Sequence, residues 1–380
     1  MREGWEYKKL GDLCQITMGQ SPDGNSINEV DGIEFHQGKT CFGERFLGVS
    51  SLFSNAPTKL AEANSVLLCV RAPVGYPNIT ERRICIGRGL CAINAKKEVE
   101  NQYLFYALLK KQDYFEKNAT GSTFKAISSK IISNAEIPLP PKSTQLAIVS
   151  ELDKINELIR LKKEQLVEYD NLAQSIFYEM FGDPMENEKG WEVKKLIDVC
   201  TKITDGKHGG CTILPESEFF FVGAREITND SVNYRTAQHI SEAEFNKDYA
   251  RCNVEIGDLL LVNTGATIGK SAIAKDKRST KTLLQKSVAL LKVNKKYLTA
   301  PYLQYCYKMN QHMYQVSGAS AQANLLLSQI KKTEILLPPL PLQQSFASRI
   351  EQIEKLKSEV QNAITDLETL LASRMQYWFE

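Results

Sequence analysis

Gly265-Ala266-Thr267-Ile268-Gly269-Lys270-Ser271 follows the apolar run Leu259-Leu260-Leu261-Val262 and is the stretch closest in form to a phosphate cradle. A nucleotide-binding loop places four residues between its glycines and then Lys-Ser or Lys-Thr; here three residues stand there. The corresponding place in the first half, Ala72-Pro73-Val74-Gly75, has no lysine. A plain strand-to-turn connection is the better expectation. Adenine methyl transfer would need a glycine-rich cofactor turn and an Asn/Asp-Pro-Pro-aromatic tetrapeptide. The two Pro-Pro pairs, Leu139-Pro140-Pro141-Lys142 and Leu337-Pro338-Pro339-Leu340, lack the polar residue before and the aromatic after, and read as helix-start prolines. His36, His208, His239 and His312 sit in unrelated contexts, so hydrolysis finds no support in a triad or a carboxylate pair. The nine cysteines include no CxxC, and no histidine stands at metal-ligand spacing from the nearest pair, Cys85 and Cys91. They read as small buried hydrophobes of a reducing compartment, with no metal site.

Binding chemistry is what remains. Basic and hydrogen-bonding side chains gather in loops of both halves: Gln20, Ser21, Lys39, Arg45, Arg71, Arg82, Arg83, Arg88 and Lys125 in the first, and Lys207, His208, Arg225, Asn263, Thr264, Lys270, Lys275, Arg278 and Lys281 in the second. Arg, Lys, Asn and Gln are the types that contacts to phosphates and base edges use. For each of them the plain alternative is a solvated loop. The net charge of +2, from 47 basic and 45 acidic residues, implies no global polycation, but a local basic groove is compatible with acidic helices elsewhere.

The elements that must position these loops are two long helices. Residues 143–181 contain no Gly or Pro and follow the proline turn Pro138-Leu139-Pro140-Pro141. Apolar residues recur at Ile148, Leu152, Ile155, Ile159, Leu166, Tyr169, Ala173, Ile176 and Met180, in steps of mostly four and three, with Lys162 interrupting. That is a coiled-coil seam, on a helix ~55–60 Å long. Residues 341–379 follow a second proline turn and carry the seam Phe346, Ile350, Ile353, Val360, Ile364, Leu367 and Leu371, interrupted by Lys357 and Arg374. These interruptions are expected either to tune helix register, to face a partner or to be plain surface. The offset from Ile148 to Phe346, Leu152 to Ile350 and Ile155 to Ile353 is constant at 198, and Gln145 matches Gln343.

This is an internal repeat. Gly4-Trp5-Glu6-Tyr7-Lys8-Lys9-Leu10 recurs as Gly190-Trp191-Glu192-Val193-Lys194-Lys195-Leu196, each expected to be a short entry strand anchored by Trp with a turn of helix behind it. Strand-like runs end at Val70 and Val262, helices are expected over 101–117 and 300–316, and Thr120-Gly121-Ser122 is echoed by Ser317-Gly318-Ala319-Ser320. Segments 17–53 and 203–249 share almost nothing. A shared scaffold thus recurs with variable mixed α/β domains on it. The expected class is α+β, with domains at 1–142 and 183–340 and long helices at 143–182 and 341–380. The linker 182–189 reaches only ~25–29 Å, so the two helices should lie antiparallel, related by a pseudo-two-fold axis. The opening MREGWEYKKL lacks an apolar signal core, and no stretch reaches the ~18 apolar residues of a membrane span, so a soluble cytoplasmic protein with no membrane partner is expected.

The doubled GWE-x-KKL openings, I-x-L-P-P before each long helix, FGDP after the first, and the turns VRAPVG and NTGATIGK resemble the specificity subunit of type I restriction–modification systems over essentially the whole chain. The resemblance implies two target recognition domains, each reading one half of a split double-stranded DNA target, and a helical spacer setting the gap. It also implies two modification subunits supplying S-adenosylmethionine chemistry at adenine, and restriction subunits supplying ATP- and Mg-dependent translocation and cleavage. None of those cofactors or activities would belong to this chain. Because the variable domains differ, the half-sites should differ and the target should not be a palindrome. The alternative is a two-headed coiled-coil scaffold that binds proteins.

Overall fold

The computed structural model describes residues 5–121, 125–228, 230–314 and 324–380; Ser122 and the echo at Ser317, Gly318, Ala319 and Ser320 lie outside the described residues. The chain divides into two compact units, Met1–Lys163 with Asn362–Glu380, and Glu164–Gln361. Each unit therefore owns a stretch of both long helices, Lys142–Phe181 and Leu340–Phe379.

In the first unit the entry strand Glu6–Lys9 pairs antiparallel with Glu136–Leu139, the strand that leads into the first long helix. A four-stranded antiparallel sheet runs in the order Cys14–Met18, Leu90–Ala95, Val66–Cys69, Pro77–Ile79. The run Val66-Leu67-Leu68-Cys69 is wholly apolar because both faces of its strand are covered. Val66 and Leu68 enter the larger core with the helix Asn101–Lys110, and Leu67 and Cys69 enter a second core on the opposite face. The second unit repeats the design: Glu192–Lys195 pairs with Glu334–Leu337, and the sheet order is Cys200–Asp205, Val288–Val293, Leu259–Val262, Ser271–Ile273. Leu259 and Leu261 face one core, Leu260 and Val262 the other. The expected helices form as Asn101–Lys110 followed by Gln112–Asn118, and as Ala300–Met309 followed by a 3₁₀ turn Gln311–Met313.

Segments 17–53 and 203–249 share little sequence, yet one structural device recurs in both. Ile33–His36 pairs parallel with Ile84–Ile86, and Phe219–Val222 pairs parallel with Thr282–Leu284.

The seam is buried at Ile148, Leu152, Ile155, Ile159, Phe346, Ile350, Ile353, Val360 and Ile364. Leu166, Ile176, Leu367 and Leu371 are only half-buried. Near the C-terminal end of each helix the buried line steps by four instead, through Ala173, Phe177 and Phe181, and through Met375 and Phe379. These side chains join the domain cores of the second and first unit respectively, so the stripe there follows the broad face of a domain-packed helix rather than a narrow heptad seam. In the first unit Glu151 receives Arg374 and the Trp378 indole (2.9 Å), and Lys163 pairs with Glu368. In the second, Lys357 donates to Asp170 (2.7 Å) and Phe177 packs on Phe346. In each unit, then, the two helix stretches run antiparallel. Two of the seam interruptions, Lys357 and Arg374, are spent on cross-helix ion pairs. Burial pulls the Lys357 ammonium down, and Asp170, Glu354 and Asp230 more than offset this, leaving it above its ordinary value.

One buried glutamine locks each helix start to its domain. Gln145 donates to Glu98 O (3.0 Å) and Pro140 O (2.9 Å) and accepts from Glu100 N (2.9 Å). Gln343 repeats the pattern on Tyr297 O, Pro338 O and Thr299 N. Glu100 and Thr299 are the residues that open the helices Asn101–Lys110 and Ala300–Met309.

Candidate nucleic-acid interface

Five backbone bonds in the first unit gather five chain segments into one rim. Gly19 N donates to Leu90 O, Gln20 N to Ile86 O, Gly87 N to His36 O, Val70 N to Gly89 O, and Ile127 N to Val70 O. The same five recur in the second: Gly206 N to Val288 O, Lys207 N to Leu284 O, Gln285 N to Val222 O, Asn263 N to Ser287 O, and Leu325 N to Asn263 O. This correspondence equates Gln20 with Lys207, Ser21 with His208, Arg71 with Thr264, and Arg88 with Lys286, and puts Lys39 and Arg225 each three residues past the matched pair His36 and Val222. The turns approach so closely that glycine is required at their contact. A Cβ on Gly19 would lie 2.2 Å from Gly87 O, and one on Gly206 2.1 Å from Leu284 O.

In the first unit the rim encloses a cleft of ≈ 410 Å³ lined by Gln37, Lys39, Arg71 and Arg88 among others, with no carboxylate in its wall. Lys39, Arg71 and Arg88 are exposed, and among the described residues none is ion-paired; Lys39 lies 4.4 Å over the Tyr76 ring. Lys125 is exposed beside them, its carbonyl accepting Ala72 N. The Ser21 hydroxyl accepts Arg88 N at 3.4 Å, and Gln20 is exposed on the same rim. Arg45, Arg82 and Arg83 are not brought there. Arg82 grips Glu34 (2.5 and 2.6 Å) and the carbonyls of Leu47 and Gly48, Arg83 pairs with Glu62 (3.2 Å), and Arg45 turns to Asp153 on the long helix.

In the second unit Arg225, Lys270 and Lys286 are exposed, and among the described residues none has an ion-pair partner. Asn263 is buried, its Oδ1 without a partner among the described residues, and Thr264 donates to Asn324 (3.1 Å). Lys207 is neutralised by Asp248 and Glu244, both at 2.8 Å, which raise its pKa above the ordinary range. His208 lies 3.2 Å from Asp205, Arg278 forks onto Asp276, and Lys281 pairs with Glu218. Lys275 lines a separate groove with Ile350 and Glu354. Residues 263–270 close an antiparallel hairpin between Leu259–Val262 and Ser271–Ile273, with Gly265 and Gly269 at φ +97° and +91°. No helix begins there. Sequence reasoning missed Gln37 and Lys286; the offset of 198 seen between the helix seams, applied to Arg88, lands on the lysine.

Such a rim can hold phosphates with its unpaired cations and offer arginine forks to base edges. Burial pushes the Cys69 thiol in the cleft wall up to about 12. No helix among the described residues is long and apolar enough to cross a membrane.

The family model for the type I restriction modification DNA specificity domain matches residues 2–168 and again 188–368. The chain belongs to that family and carries its domain twice. It is 25% identical to the MjaIX type I restriction enzyme specificity subunit of Methanocaldococcus jannaschii, over 92% of this chain and 86% of that one. A second chain of that organism, assigned to the MjaX type I restriction enzyme as specificity subunit, is 39% identical over 178 residues. That match spans 46% of this chain and less than half, 42%, of the relative. The crystal structure of the type I restriction–modification S subunit from M. genitalium shares the fold at TM-score 0.60 and 17% identity, covering 99% of this chain and 96% of that one. The reading as a scaffold for protein partners is not favoured by any of these.

Proposed function

We propose that each unit reads one half of a split, asymmetric target in double-stranded DNA through its rim of turns, and that this chain does so as the non-catalytic member of a restriction–modification complex. The observation that carries this is one backbone rim built twice with different side chains: Lys39, Arg71 and Arg88 in one unit, Arg225, Thr264 and Lys286 in the other. An identical frame with different donors is what two unlike half-sites require. The long helices shared by the units set the gap between half-sites. Two modification subunits bring S-adenosylmethionine and methylate adenine, and restriction subunits bring ATP and Mg; this chain holds no cofactor of its own. The work is done in the cytoplasm.

The test is methylation mapping of DNA from cells with and without the chain. A two-part asymmetric motif should lose adenine methylation when the chain is absent, and R71A/R88A should alter one half of it only. An unchanged methylome, or a change in both halves, would refute the assignment. In vitro, if the seven exposed cations Lys39, Arg71, Arg88, Lys125, Arg225, Lys270 and Lys286 each meet a phosphate, log K against log salt should fall with a slope of about −6.

A further inference from the structure

The loop that follows each rim cation ends in a charged latch, and the two latches have opposite sign. In the first unit Phe42 and Leu47 bridge a tight turn in which Gly43 N donates to Phe46 O, and Arg45 is its third residue. In the second unit Ile227 and Val232 bridge the equivalent turn, Thr228 N donates to Ser231 O, and Asp230 stands where Arg45 stands. The flanking bonds confirm the match: Gly48 N to Cys41 O in one, Asn233 N to Glu226 O in the other. Lys39 precedes Arg45 by six residues and Arg225 precedes Asp230 by five, so rim cation and latch share one loop.

Arg45 reaches Asp153 on the first long helix and Gln102 on the helix Asn101–Lys110. Tyr106, whose ring centroid lies 5.2 Å from the guanidinium, donates to the same Asp153 oxygen at 2.6 Å. Asp230 accepts from Lys308 and Gln304 (3.1 Å) on the helix Ala300–Met309 and lies 3.9 Å from Lys357 on the second long helix. Asp230 also sits at φ +80°, a conformation aspartate tolerates better than most but that its partners must hold.

We infer that Arg45 and Asp230 are positioning residues, each clamping its DNA-reading loop to a helix of its own unit through a charge pair whose polarity is reversed between the units: Arg45 to Asp153 on the first long helix, Asp230 to Lys308 on the helix Ala300–Met309. This rests on the function proposed above. The reversal disfavours exchange of the loops, most sharply in the first unit. Asp230 carried into the first unit would face Asp153, with Leu109 and Ile159 at the places of Lys308 and Lys357. Arg45 carried into the second would face Lys308 and Lys357, with Glu351 at the place of Asp153. Like charges at a half-buried contact reject the wrong loop as firmly as opposite charges hold the right one.

The experiment uses the full chain in cells with its partner subunits, and the purified chain for thermal unfolding. R45D should lower the melting midpoint by at least ~5 °C, and R45D/D153R should recover to within ~2 °C. Below the midpoint, R45D should relax the methylated motif in the first unit's half-site alone, and the double variant should restore it. D230N keeps a residue that tolerates the left-handed backbone while removing the charge, and should relax the other half-site. R45Q serves if R45D does not fold. A lowered midpoint with an unaltered motif would make the pair a structural staple and overturn the positioning role. If the wild-type chain directs no methylation, the functional proposal fails, and the thermal cycle still decides the latch: absence of recovery in R45D/D153R overturns it.

Discussion

Gln145→Leu should cost the first unit about 3 kcal/mol. The side chain is fully buried and serves three backbone groups: two carbonyls, of Glu98 and Pro140, and the amide of Glu100. Leucine fills nearly the same volume, so little cavity cost is added. The loss is the desolvation of backbone groups left without partners, about 1–3 kcal/mol for each that stays dry. Glu98 is exposed and its carbonyl can turn to water, which leaves two fully penalised groups. For a unit of this size about 3 kcal/mol lowers the melting midpoint by roughly 6–12 °C. Gln343→Leu should do the same to the second unit through Tyr297 O, Pro338 O and Thr299 N. The assay is differential scanning calorimetry of the two variants, with hydrogen exchange at the Glu100 and Thr299 amides to show that each loss is local. A shift below about 2 °C with both amides still protected would mean that other groups hold the helix starts, and the reasoning would fail.

Glu34 gives a pH prediction. Burial opposes its ionisation, but bonds from Arg82, the Ser50 amide and His36 outweigh this and hold it at about 2 against an ordinary 4.5. A depressed carboxylate stabilises fully above about pH 4.5 and loses its contribution as pH falls towards 2. Glu34→Gln should therefore melt lower than wild type at pH 7, with the gap closing between pH 4.5 and 2; a constant gap would contradict the assignment. Gly19→Ala and Gly206→Ala should each cost about 1–3 kcal/mol by forcing the rim turns apart, and each should weaken one half-site, read by methylation mapping. Cys14, Cys69, Cys200, Cys252 and Cys306, pushed up to about 12, should resist thiol labelling at pH 8 until the chain unfolds; mass spectrometry of the labelled native chain checks this.

The scaffold was legible because its constraints are local and periodic. A seam of apolar residues writes a helix directly, and a constant offset of 198 writes a duplication. What periodicity hid was the shift of the buried line to Phe177, Phe181, Met375 and Phe379. A heptad count assumes that a helix keeps the same neighbour along its length. Here a domain joins the other helix as neighbour, and the broader face takes over. The recurrence of the parallel strand pair in the variable segments was also hidden. A strand inside a sheet requires only apolar character on its covered faces, so Ile33–His36 and Phe219–Val222 can occupy one place with almost no residue in common.

The candidate site was legible by type and much less by place. Residue type selects every arginine and lysine in a loop, but a cation's availability depends on whether a carboxylate is near it, and that is a tertiary fact. Arg82 and Lys207 look in sequence like Arg71 and Lys270. In the structure the first two are held by Glu34 and by Asp248 with Glu244, and the last two are exposed with no ion-pair partner among the described residues. The repeat supplies the missing filter. A position that lies on the rim in one unit predicts a rim position in the other whatever residue stands there, and that is how Lys286 follows from Arg88. The same filter applied to Arg45 finds Asp230, a residue that no search for cations would have kept. What the duplication keeps at these places is the position of the backbone; the charge is free to change, and on that freedom the proposed reading of two unlike half-sites depends.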